Sequence, residues 1–164
     1  MSVFISYSRK DIVAVKEVVD FLDKEFGQEN IYFANREIFT DIDRAGLIES
    51  KISSAALFLN FDSINTYSHG PGDGADLRMD VPFRAHSALK ASYYFLVRER
   101  EAAIKARVPI MNILLSGADY LNSGFLAYPK FDLSADLNSD GAKKNLGSLV
   151  QSIRGIMDAQ LFSR

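Results

Sequence analysis

The chain contains no cysteine and no tryptophan. Without cysteine there are no disulfides, no thiolate-bound metals and no thiol nucleophile, which fits a reducing compartment. Histidine is scarce as well: with only two, His69 and His86, a histidine-rich metal site is excluded. Neither sign of charge dominates. The 19 Lys and Arg against 21 Asp and Glu leave a net charge of -2, whereas electrostatic binding to nucleic acid needs a basic face. No apolar run approaches the roughly 20 residues that span a bilayer. The start, Met1-Ser2-Val3-Phe4-Ile5-Ser6-Tyr7, lacks the basic and long apolar regions of a signal peptide. The expectation is a cytoplasmic protein with neither a nucleic-acid nor a membrane partner. Several catalytic signatures are missing too. There is no G-x-x-x-x-G-K-[ST], no G-x-G-x-x-G after a strand, no H-E-x-x-H and no G-x-S-x-G, which argues against a P-loop, a dinucleotide fingerprint, a zincin and a serine hydrolase. Gly70-Pro71-Gly72-Asp73-Gly74 spaces its glycines suggestively, but the proline interrupts it and the segment reads as loop.

What is present suits one well-packed domain. The 164 residues are 48% hydrophobic, with 12 Phe and 7 Tyr, and a chain of this length buries about 70% of its unfolded surface. Short apolar runs at Val3–Tyr7, Ile31–Phe33, Ala55–Asn60 and Val108–Leu115 read as strands, with a short edge strand at Tyr128–Leu133. Between them, helical spacing appears at Asp11–Phe26, ended by Gly27, at Ala45–Ser53 with Asp43 as candidate cap, at Phe83–Arg107 and at Leu146–Phe162. Asn35–Asp43 is polar and reads as loop, and a long insert occupies about 62–91. A loop of that length in a compact domain is usually functional, and it is expected to lie over the C-terminal ends of the strands. Strands that are apolar throughout, without alternation, are buried on both faces, as in a parallel sheet covered by helices. The expectation is α/β: a flavodoxin-like, doubly wound parallel sheet of about five strands. In such sheets ligands bind beyond the strand C-termini at a topological switch point. The loops after Tyr7, Phe33, Asn60 and Leu115 are therefore where a site belongs.

The first of those loops carries a motif. Val3-Phe4-Ile5-Ser6-Tyr7-Ser8-Arg9-Lys10-Asp11 runs a strand into a polar loop, and its FISYSRKD core resembles box 1 of the TIR (Toll/interleukin-1 receptor) domain family. Ile31-Tyr32-Phe33 then resembles strand B, and 35–46 resembles the BB loop, with Arg36-Glu37 and Ala45-Gly46 where the family often has Arg-Asp and Pro-Gly. Enzymatic TIR domains carry W-x-x-x-E, preceded by Ser, in the helix after strand C. Here Ser92-Tyr93-Tyr94-Phe95-Leu96-Val97-Arg98-Glu99 puts Phe95 at the Trp position and Glu99 at the catalytic Glu, with Pro109 following at the family spacing. The resemblance covers about residues 2 to 135 and departs at the Trp, the BB loop and the insert.

The resemblance implies a TIR fold and an enzyme that cleaves the nicotinamide–ribose bond of NAD⁺, with NAD⁺ as substrate and no cofactor. It implies nicotinamide plus linear or cyclic ADP-ribose as products, a setting in bacterial anti-phage defence or immune signalling, and TIR–TIR self-association. With no further domain in the sequence, a separate sensor or effector protein is the expected partner. The chemistry is coherent in physical terms. A carboxylate beside the ribose stabilises an oxocarbenium-like state, and nicotinamide departs as a neutral amine. Glu99 is the catalytic candidate. Phe95 lies on the same helical face at i, i+4, while Phe4 and Tyr7 are expected as the opposing wall. Arg9 and Lys10 are candidates for the pyrophosphate, with Ser6, Phe33, Arg36 and Ser92 as further substrate-binding candidates. The residues alone leave other readings open. Arg98-Glu99-Arg100-Glu101 also reads as a solvated helix face. A non-enzymatic TIR interaction module, or a nucleoside deoxyribosyltransferase-like enzyme that uses a Glu in a similar frame, is the alternative function.

Overall fold

A computed structural model describes residues 2–33, 44–63, 65, 88–118 and 128–161, with side chains described except at 44, 45, 88–95 and 161. Five strands form one sheet: β1 (Val3–Ser6), β2 (Ile31–Phe33), β3 (Leu57–Asp62), β4 (Ile110–Leu114) and β5 (Lys130–Asp132). Their order is β2-β1-β3-β4-β5, and every neighbouring pair is parallel. Among the described residues the α-helices are α1 (Ile12–Phe26), α2 (Arg44–Ser53), α3 (Ala88–Lys105) and α4 (Asp140–Leu161). This is the flavodoxin-like, doubly wound arrangement expected from the apolar strands. The order reverses between β1 and β3, so the switch point lies at the C-terminal ends of those two strands. Among the described residues no helix is long and apolar enough to cross a membrane.

The pleat sorts each strand onto two faces. Val3 and Ile5 of β1, Leu57, Leu59 and Phe61 of β3, and Met111 and Ile113 of β4 pack with Val15, Val18, Val19 and Leu22 of α1 and with Leu146, Leu149, Val150 and Ile153 of α4. Phe4, Tyr32, Phe58 and Ile110 pack on the other face with Ile48 and Ile52 of α2 and Ala103 of α3. On that second face the register pairs Phe4 with both Tyr32 and Phe58. Their rings stack in a row, with centroids 5.1 and 5.5 Å apart, and this aromatic row is the apolar floor beneath α2 and α3.

The element ends follow local chemistry. Gly27 closes α1 at φ 85, its N–H bonded to the Asp23 carbonyl at 2.9 Å. Lys105 ends α3, where Arg107 adopts φ 57. The Arg107 and Val108 N–H groups bond back to the Ile104 and Ala103 carbonyls, each at 3.0 Å, which is the Schellman closure normally built on glycine. The last helix begins at Asp140 rather than Leu146. Ser139 caps it, accepting the Ala142 N–H on Oγ at 3.3 Å. This first turn offers only Ala142 to the core, so hydrophobic periodicity does not register it. Strand β3 runs on to Asp62 because its last polar residues stay in the ladder with β4. Residues 88–91, shared by the expected insert and the expected helix Phe83–Arg107, are helical, while 83–87 lie outside the described residues. The expected loop at 35–43, the Asp43 cap and the insert at 64 and 66–87 lie outside the described residues.

Candidate functional site

One layer further along the second sheet face, toward the strand C-termini, the aromatic row gives way to a polar one. Ser6 pairs in register with Asn60, and Asn60 with Asn112. All three are buried, at 1%, 0% and 0% exposure. Alternation demands this placement: Ser6 follows Phe4 by two residues, and Asn60 follows Phe58. Helix α3 lies over this row. Ser6 Oγ donates to Glu99 Oε2 at 2.7 Å, bridging 93 residues of sequence. The next helix residue, Arg100, donates from Nε to Asn60 Oδ1 and from a terminal guanidinium nitrogen to Asp62 Oδ1, both at 2.9 Å. Asn60 Nδ2 donates in turn to Asp62 Oδ2 at 3.0 Å and to Asn112 Oδ1 at 2.9 Å. The Arg100–Asp62 pair is almost wholly out of water, with side chains 10% and 1% exposed. Buried ions of opposite sign persist only when paired and hydrogen-bonded, and the Asn60 amide provides part of that satisfaction.

A second cluster joins the loops on either side of the switch point. Asp11, the last residue of the short 3-10 turn Arg9–Asp11, occupies the N-cap position of α1 but makes no side-chain cap bond. Its two oxygens instead accept from Ser63 Oγ and Asn65 Nδ2, each at 2.6 Å. The loop after β1 is thereby tied to the loop after β3. Arg9 and Lys10, on the same turn, are exposed.

Of the residues expected at the site, the structure brings Ser6 and Glu99 together. The run 98–101 is a solvated face only in part: Arg98 and Glu101 are exposed, Glu99 is half-buried and Arg100 is buried. The aromatic wall is corrected. Phe4 is 0% exposed beneath the helices and cannot face a ligand. Phe33 is also buried, in the core on the α1 side, together with Ile5. Tyr7 is half-buried on that same side, its ring 5.0 Å from Phe33. Phe4 and Tyr7 are three residues apart, so the period-two pleat sends them to opposite faces. Ser92 and Phe95 lie in the backbone of α3, with side chains outside the described residues, and Arg36 lies outside them altogether.

Sequence reasoning missed Asn60, Asp62, Arg100, Asn112 and the Asp11–Ser63–Asn65 cluster. A signal existed in the strands: LFLNFD and IMNIL each embed an amide among apolar core residues, and the first ends in a buried Asp. Such a residue is costly to bury unless a partner meets it there. These features define an α/β protein of flavodoxin-like fold with a carboxylate held over its switch point. No family model matches the chain, and no curated protein matches it.

Proposed function

We propose that this protein is a TIR-type enzyme that cleaves the nicotinamide–ribose bond of NAD⁺, with Glu99 as its catalytic carboxylate. The observation that carries this reading is the Ser6–Glu99 hydrogen bond at the switch point, where doubly wound sheets receive ligands. In this reading the ribose lies against Glu99. The C1′–N bond breaks and its electron pair leaves with neutral nicotinamide. Positive charge then grows on the ribosyl ring, and the Glu99 carboxylate opposes it. Water captures C1′ and loses a proton, giving ADP-ribose, or an adenine nitrogen of the same molecule closes a cyclic product. Ser6 holds one carboxylate oxygen in place. Arg9 and Lys10, exposed beside the strand edge, attract the pyrophosphate. The immune-signalling role, the cytoplasmic setting, self-association and a separate effector or sensor belong to the same proposal and rest on the resemblance of FISYSRKD and of the Phe95–Glu99 spacing.

The test is nicotinamide release from NAD⁺ at high protein concentration, with free nucleosides in parallel. Wild type is expected to turn over NAD⁺. Glu99→Gln is expected to lose roughly a hundredfold or more in kcat while unfolding at the wild-type temperature. Equal turnover by the variant removes Glu99 from the chemistry. Cleavage of nucleosides in place of NAD⁺ moves the same carboxylate to a ribosyltransfer enzyme, and no turnover of either by assembled protein favours an interaction module.

A further inference from the structure

Two consecutive residues of α3 straddle the seam at which the sheet reverses its order. Glu99 bonds to Ser6 on β1, and Arg100 bonds to Asn60 and Asp62 on β3. We propose that Arg100, held by Asp62 and Asn60, is a positioning residue that fixes the rotation and axial register of α3, so that Glu99 stands over the seam. The proposal rests on the reading of Glu99 as the catalytic carboxylate.

The argument concerns direction. Few apolar side chains seat the described part of α3: Ala103 packs in the core of the second sheet face with Ala102 against it, and Leu96 is buried. Apolar burial is non-directional, so a helix held by few apolar contacts turns or slides slightly at little cost. A guanidinium differs because its donors project in a rigid fork. Here two of them reach acceptors on Asn60 and Asp62, which share one face of one strand. Those acceptors are themselves immobilised. Asn60 donates to Asp62 and to Asn112 of β4, so the anchor extends across two strands. Consecutive Cα atoms are separated by about 3.8 Å, and whatever fixes Arg100 therefore also fixes Glu99. By contrast Arg98, one residue before Glu99, is exposed and pairs with Glu49 at the surface at 3.3 Å.

Arg100→Lys tests this, since it keeps the charge beside Asp62 and loses the fork. It is compared with wild type and with the surface control Arg98→Gln. Two readouts are taken: steady-state NAD⁺ cleavage, and the carboxyl carbon NMR signal of Glu99 in substrate-free protein, assigned through Glu99→Gln. The expected result is a roughly tenfold or larger fall in kcat for Arg100→Lys with KM nearly unchanged, and a displaced Glu99 signal. Arg98→Gln is expected to match wild type in both. A wild-type kcat and a wild-type Glu99 signal in folded Arg100→Lys, with only the melting temperature lowered, would overturn the proposal and leave Arg100 a structural residue. Should Arg100→Lys not fold, Asn60→Ala, which removes the acceptor of Arg100 Nε and leaves the Asp62 charge in place, is read in the same way. Absence of NAD⁺ cleavage by wild type would reject the functional reading instead, and the Glu99 signal would still decide the positioning.

Discussion

Ser6 and Glu99 show how one residue can matter through a single contact. The hydroxyl has no nucleophilic role in the proposed chemistry. Its bond to Glu99 Oε2 holds that oxygen of the carboxylate in one orientation. A hydrogen bond to a charged group contributes about 1.5–3 kcal/mol. Ser6→Ala is accordingly expected to lower kcat roughly tenfold to a hundredfold with little change in KM, measured as nicotinamide release. An effect confined to KM would mean that Ser6 touches substrate and does not orient Glu99. Phe4 teaches the opposite lesson at the same scale. It sits two residues before Ser6 on the same face, yet its ring stacks between Tyr32 and Phe58. It builds the floor beneath the site and does not line it.

At the scale of elements, α3 carries Glu99, the proposed catalytic carboxylate, and its ending is unusual. Arg107 stands in left-handed conformation at φ 57, where a Schellman closure ordinarily uses glycine. A side-chain-bearing residue there costs about 1–2 kcal/mol, and glycine's greater freedom in the unfolded chain offsets about 0.4–1 kcal/mol of the relief. Arg107→Gly is therefore expected to stabilise the fold by about 0.5 kcal/mol, seen as a higher urea midpoint at unchanged slope. A lower midpoint would show that the Arg107 side chain contributes more than its backbone costs. Element boundaries also mark the reach of sequence patterning. The 3.6-residue period located α1 and its Gly27 stop because its buried stripe, Val15, Val18, Val19 and Leu22, is regular. It placed the start of α4 six residues late, because that first turn is held by the Ser139 cap and a lone Ala142.

At the scale of the whole molecule, the proposed site lies where the strand order reverses, and the Asp11 cluster spans that point. Asp11 occupies a helix N-cap but spends both oxygens on Ser63 and Asn65, so its contribution is tertiary and not local. Asp11→Ala is expected to lower the unfolding free energy by about 2–3 kcal/mol in urea titrations. Asp11→Ser, a good capping residue, is expected to recover little of it, and full recovery would assign the stabilisation to capping alone. The sequence by itself determined the fold class. Four mostly apolar runs alternating with helical periodicity admit few architectures, because backbone pairing and two-sided burial favour a covered parallel sheet. It also singled out Ser6 and Glu99 through their motif resemblance. Only the tertiary structure decided which side chains meet. It set Asn60, Asp62, Asn112 and Arg100 in one buried network and separated Phe4 from Tyr7. Periodicity along one strand is a local property of the backbone. The pairing of a helix residue with a strand residue 93 positions away depends on the register and packing of the complete sheet.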